Sequence, residues 1–103
     1  MQLQNTFVHH VFFWLKDKND QAKLIEGLEM LASIEHIREI HIGVAADTDR
    51  DVIDGSYHAS LLTLFDNKDE QENYQVHPTH LVFVEKYANP LCARVVVYDS
   101  VNV

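Results

Sequence analysis

Phe7–Leu15, FVHHVFFWL, is the stretch on which the fold turns. Aromatic and β-branched residues dominate it and the polar run Lys16-Asp17-Lys18-Asn19 stops it, which is the composition of a β-strand. Successive side chains of a strand point to opposite faces. One parity holds Phe7, Val11, Phe13 and Leu15, and the other holds Val8, Phe12 and Trp14. A sheet wetted on one side alternates apolar with polar residues, so a strand apolar in both parities needs cover on both faces.

Working outward, Asn19 or Asp20 is placed to cap a helix whose apolar positions Leu24, Ile25, Leu28, Leu31 and Ala32 share one face, ending near Ser33. Ile37–Ala45 reads as a strand with Ile40, Ile42 and Val44 on one side. After an acidic loop from Ala46 to Gly55, Ser56–Phe65 is a third strand. Asp66-Asn67-Lys68 then offers caps for a second helix running to about Gln75. Ala93–Val101 closes the chain as a strand with Val95 and Val97 on one face and Val96 and Tyr98 on the other. The order β-α-β-β-α-β predicts an α+β, ferredoxin-like subunit. Its helices cover one face of the sheet, and no chain remains for the second. A second copy is the simplest cover, so the expectation is a homodimer with sheets facing each other in an isologous contact.

Composition sets the outer limits. A chain of 103 residues, 47% hydrophobic and 23% charged, is expected to form a single domain over 1–103. A net charge of −8 argues against nucleic acid and anionic membrane surfaces as partners. The longest apolar run, Val11–Leu15, is far short of the ~20 residues that cross a bilayer. Cys92, the single cysteine, forms no internal disulfide and is expected to be a small core residue, and Met1 opens into polar Gln2-Leu3-Gln4-Asn5. A cytoplasmic location is expected.

Chemistry concentrates in Asn73–His80, NYQVHPTH. One reading is a broken and restarted helix, because Pro suits a first helical turn and pushes the residue before it out of helical geometry. Tyr74 would then pack in the core with its hydroxyl satisfied, His77 would cap the next turn, and His80 would bond a backbone carbonyl. The other reading is an acid/base site. Histidine accepts a proton at neutral pH and a tyrosine hydroxyl donates to a carbonyl oxygen, which is what removing a proton flanked by carbonyls requires. Neither role needs a metal or a cofactor, and none is expected. His77 and His80 lack a third metal ligand by spacing. Asp47-Thr48-Asp49-Arg50-Asp51 departs from a calcium loop, with Val52 at the sixth place and His58 at the twelfth. Only Gly27, Gly43 and Gly55 occur, so no glycine-rich phosphate loop is present.

The His-containing first strand FVHHVFFWLK, the Tyr-x-x-His-Pro-x-His stretch with Phe83 after it, and the closing Val96-Val97-Tyr98-Asp99 resemble the stress-responsive dimeric alpha-beta barrel (Dabb) family over nearly the whole chain. The resemblance implies ferredoxin-like subunits that pair through their sheets into a barrel, with a pocket between sheet and helices. One plant member is a polyketide cyclase. Its pattern implies catalytic roles for Tyr74 and His80, with a pocket histidine at His9 if Phe13-Trp14-Leu15-Lys16 is kept in register, or at His10 if the His-Val pair is matched instead. His9 is preferred, and a slip of one residue would send the imidazole to the opposite face. Val11, Phe13 and Phe83 are the expected ligand-contacting residues, the ligand being a small hydrophobic carbonyl compound. The alternative is a noncatalytic stress-response or structural dimer module, and a cofactor-free monooxygenase of similar fold is a further alternative that no residue singles out. An enzyme requires both rings to reach one pocket, whereas a scaffold leaves the space filled and the two side chains engaged by their own backbone.

Overall fold

The computed structural model describes all 103 residues. Strands β1 (Phe7–Leu15), β2 (Glu39–Gly43), β3 (Ala59–Phe65) and β4 (Cys92–Val101) form one antiparallel sheet in the order β2-β3-β1-β4. Helix α1 (Gln21–Met30) links β1 to β2. Helices α2 (Lys68–Gln75) and α3 (Pro78–Phe83) follow β3, and a π-helical segment, Val84–Ala88, with a last helical turn, Asn89–Leu91, leads into β4. This is the ferredoxin-like α+β arrangement.

The alternation of β1 fixes where the core lies. Val11, Phe13 and Leu15 point toward the helices and are buried against Leu24, Leu28 and Leu31 of the α1 region, with Leu61 and Phe65 of β3 completing the packing. Tyr74 and Phe83 close the same cluster from the second helical region. The opposite face carries Val8, Phe12 and Trp14 with Leu62 and Val96, all partly exposed, and Tyr98, which is 66% exposed. No element of the chain covers that face, and the molecule is only 17 Å thick along its shortest axis. No helix is long and apolar enough to cross a membrane.

Local chemistry moves several boundaries from their expected places. Asp17 accepts the Asn19 backbone N–H at 2.9 Å and starts a short 3-10 turn that runs into α1, so neither Asn19 nor Asp20 caps the helix by its side chain. Asn67, in contrast, caps α2 by accepting the Glu70 N–H at 2.9 Å. β2 is shorter than Ile37–Ala45 because Ile37 is turned back onto the Ile34 carbonyl, and Val44 lies past the strand end, 55% exposed. β3 begins at Ala59 rather than Ser56, since Ser56 is held in a tight turn by Asp54. Cys92 is only partly buried, at the start of β4 beside the core.

Leu28 is fully buried on α1. Leu28→Ala removes packed methyl groups from a site where the sheet and helices fix the walls, and is expected to destabilise the fold by about 2–5 kcal/mol. Urea unfolding followed by far-UV circular dichroism measures this as a lowered midpoint with an unchanged slope.

Candidate functional site

The site is built on the break between α2 and α3. His77, forced by Pro78 into extended geometry (φ −62, ψ 138), ends one helix, and Pro78 begins the next. The His77 Nδ1 accepts the Thr79 N–H at 3.1 Å, so the restart is capped as the structural reading expects. Because Thr79 donates there, the Gln75 carbonyl is left for His80, whose Nδ1 lies 2.9 Å from it. A carbonyl only accepts, so Nδ1 of His80 carries the hydrogen and Nε2 keeps its lone pair.

His9 reaches the same state from the sheet. It stands directly opposite Asp99 in the β1–β4 ladder, and its Nδ1 lies 2.6 Å from Asp99 Oδ1. The carboxylate accepts this hydrogen, so Asp99 orients the ring through Nδ1 and leaves Nε2 without a partner in the chain. Tyr74 is 1% exposed, yet its hydroxyl makes no hydrogen bond within the chain and is not sealed from solvent. That corrects the expectation of a satisfied phenol. The Tyr74 ring lies 4.7 Å from the His80 ring and 6.0 Å from the His9 ring, centroid to centroid.

These three side chains form the polar edge of a cavity of about 260 Å³ between the sheet and the second helical region. Val11, Phe13, Leu61 and Phe83 make its apolar wall. Val84 and Ala88 continue that wall along the π-helical segment, and Asn89 stands at its end. Val95 and Val97 lie on this side too, each nearly half exposed, so they border the cavity where β4 leaves it uncovered. No lysine or arginine lines the space. Its shape and chemistry suit an uncharged ligand with an apolar body and a polar end.

Burial acts on the ionisable groups in opposite directions. It pushes the Tyr74 phenol far up, so the hydroxyl stays protonated and can donate. Burial holds His80 below its ordinary value of 6.5, aided by the His9 and His77 imidazoles and opposed by the Gln75 carbonyl. His10 faces away from the cavity, on the uncovered side of the sheet, with its ring 4.3 Å from that of Phe12. His77 diverges from His80 as well, lying 3.5 Å from Glu35 on the outer side of the helix break.

Tyr74, His80, His9, Val11, Phe13 and Phe83, all singled out from the sequence, meet at this one cavity. Asp99, Leu61, Val84 and Asn89 were not anticipated. The Asp99 signal was present, since a carboxylate stands in the closing strand, but its role depends on the register that sets it opposite His9. Val95 and Val97, read from the sequence as one of two apolar faces of the closing strand, are the pair that borders the cavity.

The lowered His80 value has a direct consequence. The group's neutral form is favoured in the folded protein, so the unfolded chain binds more protons on the acid side and stability rises with pH. This contribution is present above 6.5 and is lost as the pH falls through the folded value. Nitrogen NMR of the imidazoles should show His80 mainly neutral, with hydrogen on Nδ1, at pH 6.5, and its titration midpoint below that pH.

The chain matches no curated protein sequence. Among solved structures it is similar to a Dabb family protein with a ferredoxin-like fold from Mesorhizobium loti, at 22% identity and a TM-score of 0.77, over 95% of this chain and 97% of that one. It is also similar to a dimeric protein of unknown function with a ferredoxin-like fold from Bacteroides fragilis, at 21% identity and a TM-score of 0.76, over 98% and 100% of the two chains. A candidate antibiotic biosynthesis monooxygenase from Nitrosomonas europaea matches with 13% identity and a TM-score of 0.77, over 100% and 95%. At these identities the likeness is one of fold. The family model of the stress responsive A/B barrel domain, Dabb, spans residues 7–102, and the chain belongs to that family.

Proposed function

We propose that the protein is a homodimer whose subunits each bind a small, uncharged, hydrophobic carbonyl compound between sheet and helices, and that the polar edge of the cavity performs cofactor-free proton transfer on it. The observation that carries this reading is the convergence of the Tyr74, His9 and His80 side chains on one apolar-walled cavity, with the Nδ1 atom of each imidazole already engaged.

The chemistry follows from the hydrogen positions. His80 Nε2 takes a proton from a carbon flanked by two carbonyls, while the Tyr74 hydroxyl donates to the oxygen on which enolate charge develops. The enolate carbon then attacks a third, more distant carbonyl of the same chain, one carbon–carbon bond forms as that carbonyl's π bond opens, and the resulting alkoxide recovers the proton from His80. His9, held by Asp99, accepts from a hydroxyl of the substrate and fixes its orientation. Such an intramolecular aldol step is the reaction of a polyketide cyclase and consumes no oxidant or reductant. Tyr74→Phe deletes only an oxygen that has no partner in the chain, and is expected to keep the fold while lowering turnover of a linear β-polyketide by about 10²–10⁴, as is His80→Ala. Product formation followed by chromatography tests this; unchanged rates in both variants would remove the assigned roles.

A second reading, ligand binding without turnover, is favoured by one observation: the backbone already engages Nδ1 of both His77 and His80, as a purely structural restart of the helix requires. On that reading a diketone shifts the NMR signals of Val95 and Val97 without being consumed.

Dimerisation rests on the uncovered face of the sheet. Phe12, Trp14, Val96 and Tyr98 are apolar surface that a second sheet would remove from water, and the structurally similar Bacteroides fragilis protein is dimeric. The single, unpaired Cys92 suits a cytoplasmic setting. Trp14→Glu places a charge in the proposed contact and should convert dimer to monomer in sedimentation velocity. An unaltered dimer would exclude Trp14 from the contact.

A further inference from the structure

We infer that Gly27 on α1 and Tyr87 on the π-helical segment together set the largest ligand the cavity accepts. This rests on the reading that the cavity holds a ligand. Gly27 is buried in the middle of α1, where glycine is a poor helix former, and no glycine of the chain has a positive φ that would require it. Its reason is contact: a Cβ there would lie 2.5 Å from Tyr87 Cγ and 2.7 and 2.9 Å from Cδ1 and Cδ2. The close atoms begin at the root of the ring rather than its tip, so rotation alone does not relieve the overlap.

Tyr87 passes its position to the cavity. Its ring stacks on Phe83 at 6.2 Å and 13°, and Phe83 meets Phe13 edge-on at 6.1 Å. Val84 and Ala88, the first and last residues of the π-helical segment, line the cavity themselves. Helix α1 contacts the segment as well as β2 and β3, whereas the cavity, on the Val84 and Ala88 side of the segment, is bounded by β1, by Leu61 of β3 and by β4. A push from α1 therefore moves the segment toward Val95 and Val97. Carbon atoms settle about 3.5–4.0 Å apart, so a methyl group at Gly27 demands a retreat of about 1 Å. A wide π turn ending on two cavity residues transmits that retreat to the wall.

The test uses acetylacetone and its longer homologues up to the twelve-carbon dione, with binding read from the methyl signals of Val95 and Val97. Gly27→Ala is expected to leave acetylacetone binding unchanged and to weaken the longest dione that the parent protein binds by about tenfold. Tyr87→Leu should extend the limit to longer chains, and Gly27→Ala with Tyr87→Leu should restore the parent profile. An unchanged length profile in both single variants, or equal loss at every length, overturns the inference. If no dione binds the parent protein, the ligand reading falls, and crystal structures of the two single variants decide the inference separately: a cavity smaller than about 260 Å³ in Gly27→Ala, or a larger one in Tyr87→Leu, supports it. Unaltered cavities overturn it. Should Gly27→Ala fail to fold, Tyr87→Leu alone decides by the same measures.

Discussion

Strand β1 is hydrogen-bonded along both edges, to β3 on one side and β4 on the other, and these two ladders fix which of its side chains point to the helices. A slip of one residue in either ladder would exchange its two faces. His9 would then trade places with His10, the core would lose Val11, Phe13 and Leu15, and Asp99 would no longer stand across from an imidazole. The core, the polar edge of the cavity and the uncovered apolar face all follow from this register. Its stability comes from burial: one parity is packed to near-complete exclusion of water, so the alternative register would expose several large apolar side chains.

The helix break makes a comparable use of an obligation. Pro78 has no N–H to offer, and Thr79 gives its own to His77, which leaves the Gln75 carbonyl without a helical partner. His80 satisfies it and is oriented by doing so. The structural and chemical readings of the NYQVHPTH stretch are thus not rivals at the level of geometry: the backbone engages one nitrogen of His80 and leaves the other free. Tyr74 differs from both histidines, being held by packing alone.

The element order was legible because it depends on composition and periodicity. So were the two-sided character of β1 and the Asn67 cap, whereas the grouping of Tyr74, His80 and His9 came only from the family resemblance. What escaped was set by register and local turns. Asp99 and His9 pair only once β4 docks at a particular offset, and nothing in the closing strand taken alone states that offset. Asp17 displaced Asn19 and Asp20 because a turn two residues earlier satisfied the backbone first. The two faces of β4 looked alike, since valines occupy both; only the position of β4 at the sheet edge distinguishes the pair beside the cavity from the pair on the open face. The wide turn at Val84–Ala88 has no sequence signature of comparable strength.

The bond between His9 and Asp99 joins residues 90 positions apart, one on the first strand and one on the last. During synthesis the amino-terminal half of this pair exists long before its counterpart. The imidazole is free to exchange its hydrogen between nitrogens until β4 has left the ribosome and docked, so the orientation of His9 at the cavity is set by the same event that completes the sheet.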